Sequence, residues 1–375
     1  MKLNELGWNS FFEEHFQKLR GDKTIPARVF SIRKDIYDVY SEHGILQAKI
    51  TGKIHYEAET KSDFPAVGDW VVVVLHPGTG FSNIRAILPR KSRFSRKASG
   101  TRKNKSPGVP EEQVIAANID TVFIVIGLDR DFSLRRIERY LTLVYNSGAT
   151  PVIVLNKSDL CPEAEEKRIE AESVAFGIPV HVASAERSEG LDSLSAYLVQ
   201  GKTAALVGSS GVGKSSIINT MLGDNRQKVK PLREKIGKGR HTTTHRELMF
   251  TPTGGIIMDN PGMRELSLWA DEEGLQEVFK DIEHLARYCR FSDCRHEKEP
   301  GCAVKKAVDE GKLRPERYRS YLKLKRELWY LEESRHKTSR QIEKAKWERI
   351  LKDSDLTLKQ MTSLAKKSKK HLPDL

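Results

Sequence analysis

The chain has 375 residues, with 64 Lys and Arg against 51 Asp and Glu, for a formal net charge of +13. Its 38% apolar and 31% charged content fits a soluble globular protein of roughly two or three domains, each able to bury its own core. The longest apolar runs, such as 121–127, fall far short of the ~20 residues a membrane span needs, which excludes a membrane role of that kind. The opening MKLNELGWNS lacks the charged-then-apolar pattern of a secretory signal, so the expected location is the cytoplasm. The positive excess points to an acidic partner, nucleic acid first, with an anionic surface or plain solubility as the bland alternatives.

In chain order, residues 7–20 place Trp8, Phe11, Phe12, Phe16 and Leu19 near one helical face, and this helix is expected to pack on its own protein. Residues 25–88 read as short strands with turn punctuation: ARVFSIRKDIYDVYS, ILQAKITGKI, DWVVVVL and SNIRAIL. Strands without intervening helices predict a small barrel or sandwich, a five-stranded oligonucleotide-binding barrel among them. Composition then shifts. Between 89 and 108 stand Arg90, Lys91, Arg93, Arg96, Lys97, Arg102, Lys103 and Lys105, with no acid. The stretch reads as a mobile basic loop or linker that contacts RNA, with Phe94 as a stacking group; a solvated linker is the alternative.

From 119 the pattern becomes an alternation of strands and helices, including a helix over LDSLSAYLV, which predicts a mostly parallel sheet covered on both faces. From about 271 the chain reads as helical with one cysteine-rich interruption and a basic tail.

The chemistry lies in five short stretches. Gly208, Ser209, Ser210, Gly211, Val212, Gly213, Lys214 and Ser215, followed by Ser216, spell a phosphate-binding loop between a strand and a helix. Glycines let successive backbone N–H groups face phosphates, Lys214 reaches the β- and γ-phosphates, and Ser215 ligates Mg²⁺. This loop alone does not choose between ATP and GTP. Asn156, Lys157, Ser158 and Asp159 end an apolar strand fifty residues earlier. A carboxylate there can accept from guanine N1–H and its 2-amino group, donors that adenine lacks. Ser184 and Ala185, after the next strand, fit a second base-contacting loop. Asp259 and Gly262 frame a D-x-x-G pattern, with Asp259 on Mg²⁺ and the Gly262 N–H sensing the γ-phosphate. Between them and the phosphate loop lies GKGRHTTTHRE, a loop of the kind ordered by γ-phosphate, with Thr243 as the metal ligand. Met263 stands where a glutamine often orients the attacking water, which leaves His241 as the local substitute; an ordinary solvated histidine is the alternative.

Cys289, Cys294, His296 and Cys302 supply the Cys₃His set of a closed structural zinc site, with Glu299, Pro300 and Gly301 turning the chain back. Reduced unliganded cysteines and an iron–sulfur cluster are the alternatives. Cys161 fits no metal spacing.

Together NKSD, GSSGVGKSS, GRHTTTHRE, DNPG and C-x₄-C-x-H-x₅-C, in this order after a barrel, resemble the circularly permuted, small-ribosomal-subunit-dependent GTPases of the RsgA type. The resemblance covers roughly 25–310. It implies an OB-type β-barrel over 25–95 and a basic linker over 96–112; the N-terminal helix expected over 1–24 and the charged tail after about 313 lie outside it. A circularly permuted α/β P-loop GTPase domain would follow over 113–270, then an α-helical zinc-binding domain with a basic tail over 271–375. It implies binding to the 30S subunit and its 16S rRNA late in assembly; the chain itself is expected to be a cytoplasmic, membrane-free monomer. Its cofactors would be GTP as substrate, Mg²⁺ and one structural Zn²⁺, and His241, Lys214 and Thr243 would act in subunit-stimulated hydrolysis. A GTP-gated RNA-binding checkpoint without catalysis and a large-subunit assembly GTPase are the rival readings.

Overall fold

The structure, a computed structural model, describes residues 2–76, 80–99, 110–223, 247–259 and 272–336. These fall into two compact units. One takes the described chain up to 97 and from 112 to 328; the other takes the described parts of 98–111 and of the chain from 329. The barrel, the nucleotide domain and most of the C-terminal helices lie in the first. Of the second, the described residues are the far ends of a strand pair and the last turns of the C-terminal helix.

Five strands, β1 (Thr24–Arg33), β2 (Ile36–Ser41), β3 (Gly44–Ile50), β4 (Trp70–Val74) and β5 (Ser82–Ile87), close on themselves. β1 pairs with both β2 and β4, β2 with β3, β3 in parallel with β5, and β5 with β4. Closure leaves no edge within the ring, which is how a small antiparallel architecture avoids unpaired strands. The unbroken apolar run of β4 follows from its having two dry faces. Val71 and Val73 point into the barrel with Val29, Val39 and Ile84, while Trp70 and Val72 point outward under Leu6, Phe12 and Phe16.

Those outer residues come from α1 (Ser10–Gln17), whose Asn9 side chain caps it by accepting from Phe11 N–H at 3.1 Å. Trp8 meets Trp70 edge-on with centroids 4.6 Å apart. The helix thus packs on its own barrel, shorter than predicted; Leu19 lies beyond it and is exposed. The stretch read as the end of a strand, TGKI, instead begins α2 (Gly52–Glu57).

The predicted loop at 89–108 is partly strand. β6 (Arg93–Ser99) and β7 (Pro110–Ala117) form a two-stranded sheet, and Phe94 is 2% exposed, so it cannot stack on an RNA base. Next come β8 (Thr121–Gly127), α3 (Leu134–Ser147), β9 (Thr150–Asn156), α4 (Ala164–Glu172), β10 (Val180–Val182), β11 (Thr203–Val207) and α5 (Lys214–Leu222). β12 (Glu247–Phe250) and β13 (Ile256–Asp259) complete the sheet. Its order is β10-β9-β8-β11-β13-β12, parallel except for β12. All seven residues of β8 are buried, as expected of a parallel strand covered on both faces. The segment read as a helix at LDSLSAYLV is a 3₁₀ helix, Asp192–Tyr197, and it turns Leu191 and Leu194, three residues apart, into the core.

Sequence reading missed β12. This four-residue strand pairs antiparallel to β13 and touches β1 through Ser31 and Glu247, so one continuous sheet runs from the nucleotide domain into the barrel. Arg28 reinforces the same junction. Its buried guanidinium donates to the Leu6, Gly68 and Asn118 carbonyls at 2.5, 3.2 and 2.9 Å. Burial lowers its pKa to about 10, partly offset by Asp120 and Asp69, so it stays charged at neutral pH.

The C-terminal part is helical, as predicted: α6 (Glu272–Val278), α7 (Lys280–Ala286), α8 (Ala303–Asp309) and α9 (Pro315–His336). α6 lies on α3, with Gly274 N–H donating to Asn146 Oδ1 at 3.0 Å; a methyl group at Gly274 would sit 2.5 Å from the Thr142 carbonyl. Beside it Arg317 of α9 bonds Glu138 of α3 at 2.8 Å and both oxygens of Asp281 at 2.7 Å. It also donates to Val278 O and lies over the Phe279 ring. Glu138 and Arg317 side chains are 2% and 4% exposed, so removing either partner strands a buried charge. Arg317→Ala is therefore expected to cost about 3–5 kcal/mol in denaturant unfolding. Arg326→Ala, which breaks an exposed 2.9 Å pair with Glu297, should cost under about 1 kcal/mol. Equal losses would show that the buried cluster does not hold these helices.

Candidate functional site

Parallel strands deliver their loops to one edge, at their carboxyl ends. β8 and β9 run in register so that Gly127 faces Asn156, and β11 lies on the other side of β8. The 208–213 loop and the Asn156–Asp159 loop therefore meet in space although fifty residues separate them in the chain.

The loop after β11 needs its glycines for two physical reasons. Gly208, at φ 147°, passes so close to the Val125 carbonyl that a Cβ would lie 2.2 Å from it. Gly213, at φ 98°, would put a Cβ 2.2 Å from Asn156 Nδ2. Lys214 opens α5 with its side chain buried, and its ammonium donates to the Gly208 and Ser209 carbonyls at 2.6 and 2.5 Å. The ammonium thus lies inside the curl of the loop. Ser210, Gly211, Ser215 and Ser216 are exposed along it, while Val212 is buried.

Asn156, 2% exposed, ties the loops together. Its Nδ2 donates to the Val212 carbonyl at 2.8 Å, and its Oδ1 accepts the Ala185 N–H at 2.9 Å. Ser184 Oγ donates to Asp159 Oδ1 at 2.6 Å, and Ser158 N–H to the Ala183 carbonyl at 3.1 Å. Lys157 has left-handed backbone, φ 70°, and its ammonium meets Asp129 Oδ2 at 2.7 Å. The backbone amides of the Ser184–Ala185 loop are engaged within the protein: Ala185 N–H with Asn156, and Ser184 N–H with the Glu189 carbonyl at 3.0 Å.

Of the remaining predicted site residues, His241, Thr243, Gly262 and Met263 lie outside the described residues. Asp259 is described only as the last residue of β13. Sequence reading missed Asp129, which belongs to no motif, and Tyr140 of α3, whose hydroxyl faces the Ser209 side chain.

The predicted RNA-contact set needs one correction. Arg90 is spent internally: it forks onto both oxygens of buried Asp69 at 2.7 and 2.8 Å and onto the Ser62 and Phe64 carbonyls. Lys91 lies over the Phe11 and Phe12 rings, Arg93 stands 3.8 Å from Glu112, and Arg96 donates to Gln113 at 3.0 Å. Only the backbone of Lys97 is described, and Arg102, Lys103 and Lys105 lie outside the described residues.

The second cluster is metal-shaped. Ligand atoms of Cys289, Cys294, His296 and Cys302 lie within 4.8 Å of one another. His296 Nδ1 is 3.6 and 3.5 Å from the sulfurs of Cys289 and Cys302, which are 3.9 Å apart. A zinc ion with bonds of about 2.3 Å to sulfur and 2.0 Å to nitrogen sets tetrahedral neighbours about 3.5–3.8 Å apart, so the group fits it. The chemistry agrees. Burial, with the Cys302 and Cys289 side chains adding to it against a His296 N–H bond, pushes the Cys294 thiol up to about 12. A divalent cation removes that penalty by neutralising the thiolates. Glu299 organises the turn by accepting N–H bonds from Arg295, Glu297 and Lys298.

A model of the RsgA GTPase family matches residues 87–269. A small ribosomal subunit biogenesis GTPase RsgA from Syntrophotalea carbinolica is 46% identical over 331 residues, covering 88% of this chain and 90% of that protein. One from Opitutus terrae is 45% identical over 359 residues, covering 93% and 96%. The chain belongs to the RsgA GTPase family. YjeQ from Thermotoga maritima has a similar structure, with a TM-score of 0.59, 29% identity, and coverage of 82% of this chain and 99% of that one. YloQ, described as a circularly permuted GTPase, gives 0.56, 27%, 82% and 96%. RsgA membership makes this chain a GTPase, and the fold agrees in all three expected parts: closed five-stranded barrel, permuted nucleotide domain and helical region with a Cys₃His group. Among the described residues no helix is long and apolar enough to cross a membrane.

One equivalent of zinc per chain is expected by elemental analysis. Stripping it with a strong chelator should lower the unfolding temperature, and Cys302→Ser should reproduce that loss. A metal-free protein of unchanged stability would leave the four residues without this function.

Proposed function

We propose that this chain binds the small ribosomal subunit through its 16S rRNA, as a cytoplasmic monomer, and hydrolyses GTP there during late subunit assembly. The observation that carries the nucleotide part is the Asn156 clasp, which brings the phosphate loop, the NKSD loop and the Ser184–Ala185 loop onto one sheet edge. The curated relatives, named as small ribosomal subunit biogenesis GTPases, support the partner.

In this reading the N–H groups of 208–216 and the start of α5 cradle the phosphates. Lys214 leaves the loop carbonyls it now holds and turns to the β- and γ-phosphates, exchanging neutral acceptors for charged ones. Asp159, steadied by Ser184, accepts from the guanine N1–H and 2-amino groups, and Lys157 flanks the ring. Mg²⁺, held by Ser215, Thr243 and Asp259, would neutralise charge developing between the phosphates. Gly262 senses the γ-phosphate, and His241 orients the attacking water once the subunit is bound. The cations of the set from Lys91 to Lys105, without Arg90, supply phosphate contacts that weaken with salt. The four-residue metal group stiffens the C-terminal helices and plays no part in the chemistry.

Hydrolysis of GTP and of ATP, measured with and without purified small subunits, tests this. GTP-selective turnover that the subunit accelerates is expected, with Lys214→Ala losing most of it. Equal rates with and without subunits would overturn the stimulated mechanism. Unchanged subunit binding and release by Lys214→Ala would favour a checkpoint that needs no hydrolysis. Cosedimentation with large subunits would displace the partner.

A further inference from the structure

Asp129 lies just beyond β8, outside every nucleotide motif. Its Oδ2 meets the Lys157 ammonium at 2.7 Å, and its Oδ1 accepts the Asp131 N–H at 2.9 Å. Asp131 is itself held by Arg136. The carboxylate therefore sits on an anchored loop and not on a free side chain. The ion pair is partly sheltered, with side chains 28% and 34% exposed.

The other end of Lys157 is equally fixed. Its left-handed backbone lies between Asn156, which the clasp immobilises, and Ser158, whose N–H is bonded to the Ala183 carbonyl. The lysine is thus held at its backbone and at its head, and the four-carbon stem is strung between them. A free lysine stem loses up to about 2 kcal/mol of rotamer entropy when ordered, and a stem already tethered loses less on meeting a ligand. The hydrogen bond from Lys157 also holds the Asp129 carboxyl below the usual carboxylate range, so the tether is charged at neutral pH.

We propose that Asp129 is a positioning residue for guanine-nucleotide binding: by holding the Lys157 ammonium it pre-sets the lysine stem as the wall against which the base lies. This rests on the reading of Lys157 and Asp159 as base-facing. Selection of guanine remains with Asp159. Asp129 acts on the shared ring contact, so its effect is the same for GDP and GTP and independent of the 2-amino group.

The test uses the full-length, metal-loaded protein and fluorescence titration with GDP, GTP and inosine triphosphate, which lacks the 2-amino group. Asp129→Asn and Asp129→Ala are expected to weaken all three by a common factor of about 3- to 10-fold, the scale of a partly exposed ion pair with its pre-organisation. The loss should fall on KM, with kcat at saturating GTP within about twofold. Asp129→Glu should recover part of the affinity. In a Lys157→Ala background, Asp129→Ala should add nothing further. Weakening by Lys157→Ala with none by Asp129→Ala would overturn the tether. If Lys157→Ala itself leaves affinity unchanged, the base-facing reading of Lys157 fails, and the tether with it. A loss for GTP and GDP not shared by inosine triphosphate would move Asp129 into base selection and overturn the proposed route.

Discussion

The Asn156 carboxamide is buried between loops from three separate parts of the chain, and its described protein partners are one carbonyl and one amide, Val212 O and Ala185 N. A buried amide side chain that loses a partner costs about 1–3 kcal/mol, so this arrangement is strongly preferred over its near neighbours. It also explains a glycine. Gly213 has no room for a Cβ because Asn156 Nδ2 occupies that space. The phosphate loop and the base-reading loop are therefore parts of one packed object, and neither can take its shape without the other.

This constraint accounts for the order of motifs in the chain. A site assembled by strand position in a sheet is indifferent to where the chain begins, provided the strands keep their neighbours. Permutation changes only which segments leave the domain and where they go. Here β13 leads toward the C-terminal helices, and those helices return to α3 through Gly274, Arg317 and the Arg139–Glu327 pair at 3.5 Å. The same α3 carries Tyr140, which reaches Ser209 in the phosphate loop. One helix thus touches the nucleotide loop on one side and the metal-bearing region on the other. A shift of α3 would therefore be felt at both places, alongside the covalent route through β13.

Much of this was legible in the sequence because it is written in local chemistry. Strand alternation, the glycine spacing of the phosphate loop and the Cys₃His interval each follow from rules acting over a few residues. What escaped was set by distant partners. β12 is four residues long and exists because β13 and β1 offer it edges. In a stretch with the composition of a linker, Phe94 is buried because β6 pairs with β7, and Arg90 turns inward because Asp69, with no ionic partner nearby in sequence, needs a cation. Asp129 resembles any loop aspartate until folding places it against Lys157.

The same distinction bears on charge. A net charge of +13 invites the inference that basic residues face outward toward a polyanion. Yet Arg28, Arg90 and Arg317 are among the most deeply engaged side chains of the first unit: Arg28 between barrel and nucleotide domain, Arg90 where the chain leaves the barrel, and Arg317 between nucleotide domain and C-terminal helices. Arginine suits these joints because its planar fork can satisfy several acceptors from different elements at once, which a lysine ammonium cannot do in the same plane. Arg28 uses backbone carbonyls alone, and Arg90 and Arg317 combine carbonyls with carboxylates. Such cations add to net charge while contributing no available donor to a ligand. Salt-dependent binding to a polyanion should therefore scale with the cations left exposed after these joints are made, not with the total.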